Sequence, residues 1–371
     1  MNTPRHLSLA ATLLLFISTV GAMEVPYDLL VPFTPENAII GHYSPTKKPV
    51  ATIKSGTTVR IDGGGGQRWG DGDPDKWLLE NNIPATAATN AAIAETIKVL
   101  KETPRAEGIP GGHLLVGPIY IEDAEPGDSI EVRILDVTPR IPYGTVGSRP
   151  GSGALPDLTP RPFNKVVLLD LKRNAGIFDK NVEVPLNPFM GVMGTCPADD
   201  EDPINRVGGL RRSGPPGVFG GNLDCKELGA GSTLYLPVFK KGALFYTGDS
   251  HAAQGDGEVT VNAIETANTC TLQFILHKGK KLTAPRAENA THYLSFGLDP
   301  DLDKAMRMAI LETIDFLKEK QGYDYFDAYA LSSIAIDFRV TQVVDTTLGV
   351  HSMIAKRLFI NDTNKYWYRP R

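Results

Sequence analysis

The chain has 371 residues, 42% of them hydrophobic, and this length allows a large buried core. Its 37 glycines and 28 prolines favour a turn-rich β protein over a helical one. The formal net charge is −5, and the absence of a long basic stretch argues against nucleic acid as a partner.

The N-terminus has the pattern of a signal peptide. Arg5 precedes an apolar run over residues 7–20, and the small residues at 20–22 are typical of a cleavage site. The run is too short to span a membrane, although a buried strand or an uncleaved anchor is the alternative. We predict a signal peptide over residues 1–22, a single domain over 23–371, and a secreted or periplasmic protein without membrane contact after cleavage.

The predicted elements alternate between short strands and a few helices along the whole chain. In chain order they are a strand at 56–61, a helix at 87–101, a strand at 127–132, a loop at 143–162, a strand at 165–171, a loop at 198–217, strands at 231–236, 243–247, 258–264 and 271–276, a helix from Pro300 to Gly322, a helix at 325–335 and a strand at 336–344.

Three of the strands begin with glycine, small polar residues and then alternating apolar positions, as in Gly127–Val132. Glycine suits the turn, and a period of two gives a half-buried strand. The longest helix has Asp299 as a candidate cap, Pro300 in its first turn and Gly322 as its stop. Many short strands with few helices predict a mainly β fold, with a β-sandwich or jelly-roll-like core.

The densest polar segment runs from Gly248 to Glu258. Asp249 and His251 are two residues apart, as are Asp256 and Glu258, and residues i and i+2 of a strand point to one face. A hairpin here would bring the four groups together. Carboxylates with histidine suit a divalent metal, and a carboxylate left free can move protons. A hydrogen-bonded loop without function is the alternative.

Two further candidates lie earlier in the chain. Asn222 and Asp224 share a face after paired glycines, of which Gly221 allows a close backbone approach. His113 precedes the apolar run that starts at Leu114. A turn cap and a structural histidine are the alternative interpretations. The sequence contains no Gly-x-Ser-x-Gly elbow, no phosphate-binding loop and no Cys-x-x-Cys pair, and its three cysteines cannot all be paired.

Several segments together resemble the acetamidase/formamidase family over roughly residues 37–360. The resemblance is carried by Pro49–Val59, Gly112–Val137, Pro188–Gly194, Pro216–Asp224, Gly248–Glu258, Asp327–Ser333, Val340–Asp345 and Gly349–His351. It implies a β-rich, jelly-roll-like homo-oligomer that hydrolyses a small aliphatic amide to a carboxylate and ammonia. It also implies a divalent metal, zinc or calcium, which would activate a water molecule.

Placed on the resemblance, the candidate residues take separate roles. The metal ligands would be Asp224, Asp249 and His251; Glu258 would move the proton; His113 and Asn222 would orient the substrate; and Gln254 and Gly221 would contact it. Two other functions stay open at this point: an exported β-sandwich binding protein without turnover, and a hydrolase of cyclic amides.

Overall fold

The computed structural model describes residues 25–70 and 72–361 of the chain. The predicted signal peptide over residues 1–22 lies outside them, so cleavage and export stay predictions. Among the described residues there are 22 strands and four α-helices. None of the helices in this part of the chain is long and apolar enough to cross a membrane.

The strands are short and follow one another along most of the described chain. They are β1 (Leu29–Val31), β2 (Ala38–Ile40), β3 (His42–Tyr43), β4 (Ala51–Ile53), β5 (Thr58–Asp62), β6 (Leu114–Ile121), β7 (Ser129–Pro139), β8 (Tyr143–Ser148), β9 (Phe163–Asp170), β10 (Ala175–Ile177), β11 (Glu183–Pro185), β12 (Phe189–Gly194), β13 (Arg206–Val207), β14 (Leu210–Arg212), β15 (Gly220–Asn222), β16 (Thr233–Pro237), β17 (Phe245–His251), β18 (Asn268–His277), β19 (Arg286–Glu288), β20 (His292–Asp299), β21 (Asp337–Gln342) and β22 (Leu348–Ala355). The α-helices are α1 (Pro74–Glu80), α2 (Ala91–Glu102), α3 (Leu302–Gln321) and α4 (Tyr325–Ala335).

Two large sheets form the body of the molecule. Nine strands pair in the order β1-β5-β18-β7-β16-β19-β20-β22-β21, and the other sheet has the order β15-β12-β17-β6-β2, with β4 beside β6. One hydrophobic cluster contains buried side chains from both sheets, and Phe245 of β17 meets Phe274 of β18 with ring centroids 5.0 Å apart. This shared core confirms the predicted mainly β, sandwich-like architecture.

The longest helix covers one end of the larger sheet. Asp301 caps α3 by accepting hydrogen bonds from the backbone N–H groups of Asp303 and Lys304, and Gly322 ends it with a φ of 73°. The helix packs on β20 and β22, where Gly297 leaves room for the backbone of Ala305. The predicted helix is therefore confirmed, with its start two residues later than Pro300.

Most predicted strands are found with shifted ends, but the strand predicted over residues 258–264 is wrong. These residues form turns rather than a strand, and Glu258 and Val261 have left-handed φ angles of 41° and 63°. The hairpin predicted for residues 248–258 is also wrong: β17 ends at His251, and the chain continues as a loop to β18.

Three other segments differ from the sequence prediction. The first residues of the loop predicted at 143–162 form β8, which pairs with β9, and the loop predicted at 198–217 contains the short strands β13 and β14. Helix α1 was not predicted, although Asp73 caps it and Pro74 occupies its first turn. The helix predicted at 87–101 is α2, and it begins at Ala91 because Asn90 caps it.

Candidate active site

Most of the polar residues singled out in the sequence meet at a cavity of about 130 Å³. The sheet that contains β12 and β17 positions them, because β15, β12, β17 and β6 lie side by side in it. The cavity is lined, among others, by His113, Asn222, Asp224, Asp249, Glu258, Glu265 and Asp345. His113 precedes β6, Asn222 ends β15, and Asp249 lies on β17 together with His251.

Gly191 of β12 makes this convergence possible. It lies between β15 and β17, and a Cβ atom at this position would be 2.4 Å from Asp224 Oδ1 and 2.6 Å from Asp249 Oδ2. Its carbonyl also accepts a hydrogen bond from the backbone N–H of Asp224 at 3.2 Å. The two carboxylates and His251 thus occupy the space that any other residue would fill.

Four acidic residues of the site have a left-handed backbone. The φ angles are 47° for Asp224, 57° for Asp249, 41° for Glu258 and 59° for Asp345. Such conformations cost about 1–3 kcal/mol for residues other than glycine, and they cluster at functional sites. Four of them around one cavity indicate that the fold holds these carboxylates in place against local preference.

The His251 ring is oriented by Gln254. The side-chain N–H of Gln254 donates to the carbonyl of Asp224 at 2.6 Å, which turns its Oε1 towards His251 Nδ1 at 3.1 Å. Because Oε1 only accepts, Nδ1 carries a proton, and Nε2 is the nitrogen that faces the carboxylates. The edge of His251 also packs against Phe189, with centroids 4.9 Å apart.

His251 Nε2 is the centre of the acidic cluster. It lies 3.3 Å from Asp249 Oδ2 and 3.4 Å from Glu265 Oε1. Ligand-type atoms of Asp224, His251 and Glu258 lie within 4.8 Å of one another, and so do those of Asp249, His251 and Glu265. The histidine therefore belongs to two overlapping groups, each able to offer three ligand atoms.

Burial disfavours the charged form of most of these carboxylates. It raises the pKa of Asp224 well above the usual range, and the carboxylate of Glu258 raises it further. Burial likewise raises the pKa of Glu258 and of Glu265, although His251 opposes both shifts. Burial raises the pKa of Asp345 to about 6. The cavity thus contains more carboxyl groups than its histidines can keep charged.

For Asp249 and His251, in contrast, the pKa shifts favour the charged form. Burial alone would raise the pKa of Asp249, but His113 and His251 outweigh it and hold that pKa below the usual range. Burial would lower the pKa of His251, yet the carboxylates of Glu265 and Asp249 raise it to about 10. Without another cation, a proton on Nε2 is thus strongly stabilised by its neighbours.

The donor set fits a divalent cation. Several buried atoms facing the cluster have no hydrogen-bond partner within the described chain: Asn222 Oδ1, both carboxylate oxygens of Asp224, His251 Nε2 and Glu258 Oε2. A buried carboxylate without any donor is costly, and coordination to an ion removes that cost. Oxygen and imidazole donors together suit a divalent metal such as zinc or calcium.

Three of the predicted residues have other surroundings than expected. Asp256 points away and pairs with Lys226 at 2.9 Å, so it does not join Glu258. Gln254 and Gly221 are not among the residues lining the cavity, and Gln254 holds His251 and Asp224 in place. Their predicted contact with substrate has no support in the geometry, because their side-chain or backbone atoms face the protein.

The sequence prediction missed two members of the site. Glu265 follows a segment that had been assigned to a strand, so nothing marked its side chain as functional. Asp345 was part of a segment resembling the family but had no role; the side-chain N–H of Asn222 donates to its Oδ2 at 3.0 Å. Both residues come from loops that sequence periodicity does not describe.

Comparisons with known proteins agree on one family. A profile of the Acetamidase/Formamidase family matches residues 101–205 and 201–359. The chain is 26% identical over 379 residues to an acetamidase of Mycolicibacterium smegmatis, covering 80% of this chain and 86% of the relative. A formamidase of Methylophilus methylotrophus is 28% identical over 304 residues, covering 63% and 73%. The crystal structure of an acetamidase from Bacillus halodurans superposes with a TM-score of 0.71 at 28% identity, covering 89% of this chain and 99% of that one.

Proposed function

Because the chain belongs to the acetamidase/formamidase family and is an amidase of linear amides, we propose that it hydrolyses a small aliphatic amide in the cavity described above. The overall reaction converts the amide and one water molecule into a carboxylate and ammonia. The observation that carries the proposal is the group of unpartnered ligand atoms around His251 Nε2, of which those of Asn222, Asp224 and Glu258 belong to residues lining that cavity.

We propose that Asp224, His251 and Glu258 would hold a divalent ion, since their atoms are buried, unpartnered and within 4.8 Å of one another. When bound, such an ion polarises the amide carbonyl and makes water more acidic. This changes the assignment made from the sequence, in which Glu258 moved the proton. Asp249 now serves to orient the histidines, because it lies 3.8 Å from His113 Nε2 and 3.3 Å from His251 Nε2.

Glu265 is the carboxylate best placed to move the proton. Its side chain lines the cavity, is 14% exposed, and lies beside the ligand histidine. A backbone N–H from Ala263 donates to its Oε1 at 3.0 Å and fixes its position. Glu265 would accept a proton from the attacking water as the new C–O bond forms, and return it to the amide nitrogen as the C–N bond breaks.

The remaining polar residues would bind and orient the substrate. His113 and Asn222 line the cavity on the β6 and β15 sides, and both present a buried ring or amide atom without a partner in the described chain. An amide offers one carbonyl acceptor and one N–H₂ donor group, so these two side chains suit its two ends. The backbone of Gly64–Gly66 also lines the cavity.

The test is ammonia release from formamide, acetamide, propionamide and a cyclic amide, with and without chelator, together with elemental analysis of the protein. We expect Glu265→Gln to keep its metal and lose about 10²–10⁴-fold in kcat, because only the proton carrier is removed. Glu258→Gln should lose metal. Asp256→Asn, in the same segment but paired with Lys226, is the control and should change neither.

Other outcomes would contradict the proposal in different ways. A normal rate for Glu265→Gln would move the proton transfer to another carboxylate. Full metal content in Glu258→Gln would remove Glu258 from the ligand set. Release of no ammonia from any amide, with metal present, would favour a binding protein without turnover.

A further inference from the structure

A second cavity, of about 550 Å³, adjoins the catalytic one. Arg68, Val261 and Asn262 line both, so the two spaces meet at these residues. Val261 is a β-branched residue with a φ of 63°, a conformation that is a genuine outlier for such a side chain. The loop therefore holds Val261 at the junction against its own backbone preference.

The two cavities differ in charge. Carboxylates dominate the wall of the inner cavity, whereas the outer cavity is lined by Arg68 and Arg149 and by no acidic residue. Both arginines are exposed, and the charge of Arg68 also acts on Glu265, whose pKa it lowers. Two guanidinium groups beside an acidic site can bind an anion.

The rest of the outer wall suits a short aliphatic chain that ends in a polar group. Phe163 is 47% exposed and, with Pro162 and Val261, gives an apolar surface. Asn164 and Asn262 add side-chain donors beside the arginines. A guanidinium presents a planar fork that matches the two oxygens of a carboxylate.

We infer that the preferred substrate is a linear amide whose acyl chain ends in a carboxylate, the monoamide of a short dicarboxylic acid. Its amide lies in the inner cavity, its methylene groups pass Val261, and its carboxylate binds Arg68 and Arg149. Arg68 lies at the junction and Arg149 in the outer cavity, so these positive charges also set the direction of binding. This inference rests on the proposed amidase activity.

The experiment compares succinamate with butyramide, which has the same number of carbon atoms but no charge. We expect wild-type protein to prefer succinamate by about tenfold or more in kcat/KM, which equals about 1.4 kcal/mol. Arg149→Gln should reduce this ratio about tenfold, and Arg149→Glu should reverse it. Arg161→Gln, on the same surface loop but outside the cavity lining, is the matched control and should keep the wild-type ratio.

The dependence of both hydrolysis rates on ionic strength is an independent test of the carboxylate subsite. Raising the ionic strength screens exposed charges, so the advantage of succinamate should shrink while butyramide is hydrolysed at the same rate. Equal kcat/KM for both amides in the wild type, or an unchanged ratio in Arg149→Glu, would overturn the carboxylate subsite and leave the amidase proposal intact. Release of ammonia from no amide at all would overturn the amidase proposal, and the subsite with it.

Discussion

Gly191 contributes no functional group, yet the positions of Asp224, Asp249 and His251 depend on it. The carboxylates of Asp224 and Asp249 reach across β12 at this residue, and His251 Cε1 would lie 2.9 Å from its Cβ if it had one. Residues with side chains on both neighbouring strands can converge only over a strand position without a side chain. Gly191 thus contributes by leaving space for the side chains of Asp224, Asp249 and His251.

Replacing Gly191 by alanine should therefore disable the site without unfolding the protein. The added methyl group would displace Asp224 and Asp249, and displacements of this size cost about 10²-fold in rate. Metal content and kcat/KM on acetamide are the measurements, with circular dichroism as a check of the fold. Gly255→Ala is the control, because no atom lies within 4 Å of its Cβ position. A Gly191→Ala protein with normal metal and rate would disprove the crowding argument.

At the scale of elements, apolar packing against the larger sheet stabilises α3 more than its own helix propensity does. Its inner face buries Ala305, Ala309, Ile314 and Leu317, and this face meets β20 and β22. The opposite face is polar and exposed. Helices in proteins obtain most of their stability from such packing, since isolated helices are marginal in water.

A pair of leucine substitutions on α3 separates packing from helix propensity. Leu317 is fully buried, so Leu317→Ala should lower the free energy of unfolding by about 2–5 kcal/mol through lost burial and a cavity. Leu311 is 42% exposed on the same helix, and Leu311→Ala should change it by only about 0.5 kcal/mol. Urea unfolding gives both values. Equal losses for the two variants would show that α3 is not held by this face.

At the scale of the whole molecule, α4 presents an apolar surface that a single chain leaves uncovered. Phe326 is 77% exposed, Ile334 is 82% exposed and Tyr329 is 52% exposed, and they lie along one side of the helix. Tyr325 packs on both Phe326 and Tyr329, which makes the aromatic surface continuous. Exposed apolar surfaces of this kind mark interfaces more often than free surface.

We therefore expect the predicted homo-oligomer to use α4. Light scattering after size-exclusion chromatography should give a mass above that of one chain, which is 40.2 kDa before any processing. The double substitution Phe326→Asp and Ile334→Asp should reduce the mass, because charge would have to be buried in the contact. Leu158→Asp, on an exposed loop elsewhere, is the control. A monomeric wild-type protein would exclude the predicted oligomer.

The sequence by itself determined the class of fold and the local pairs of the site. Glycine turns and a period of two identified most strands, because both are properties of the backbone within a few residues. The same reasoning predicted that Asn222 and Asp224 lie together, as do Asp249 and His251, and both pairs belong to the site. The family resemblance then linked those pairs to amide hydrolysis.

Only the tertiary structure decided which acids join the histidine. Glu258 and Glu265 reach it from a loop that contains left-handed residues, and Asp345 reaches the cavity from the loop after β21. Asp256, although only two residues from Glu258, turns to Lys226. The paths of such loops are set by packing against distant residues and by strain that the whole fold supports. A local sequence pattern therefore does not predict them.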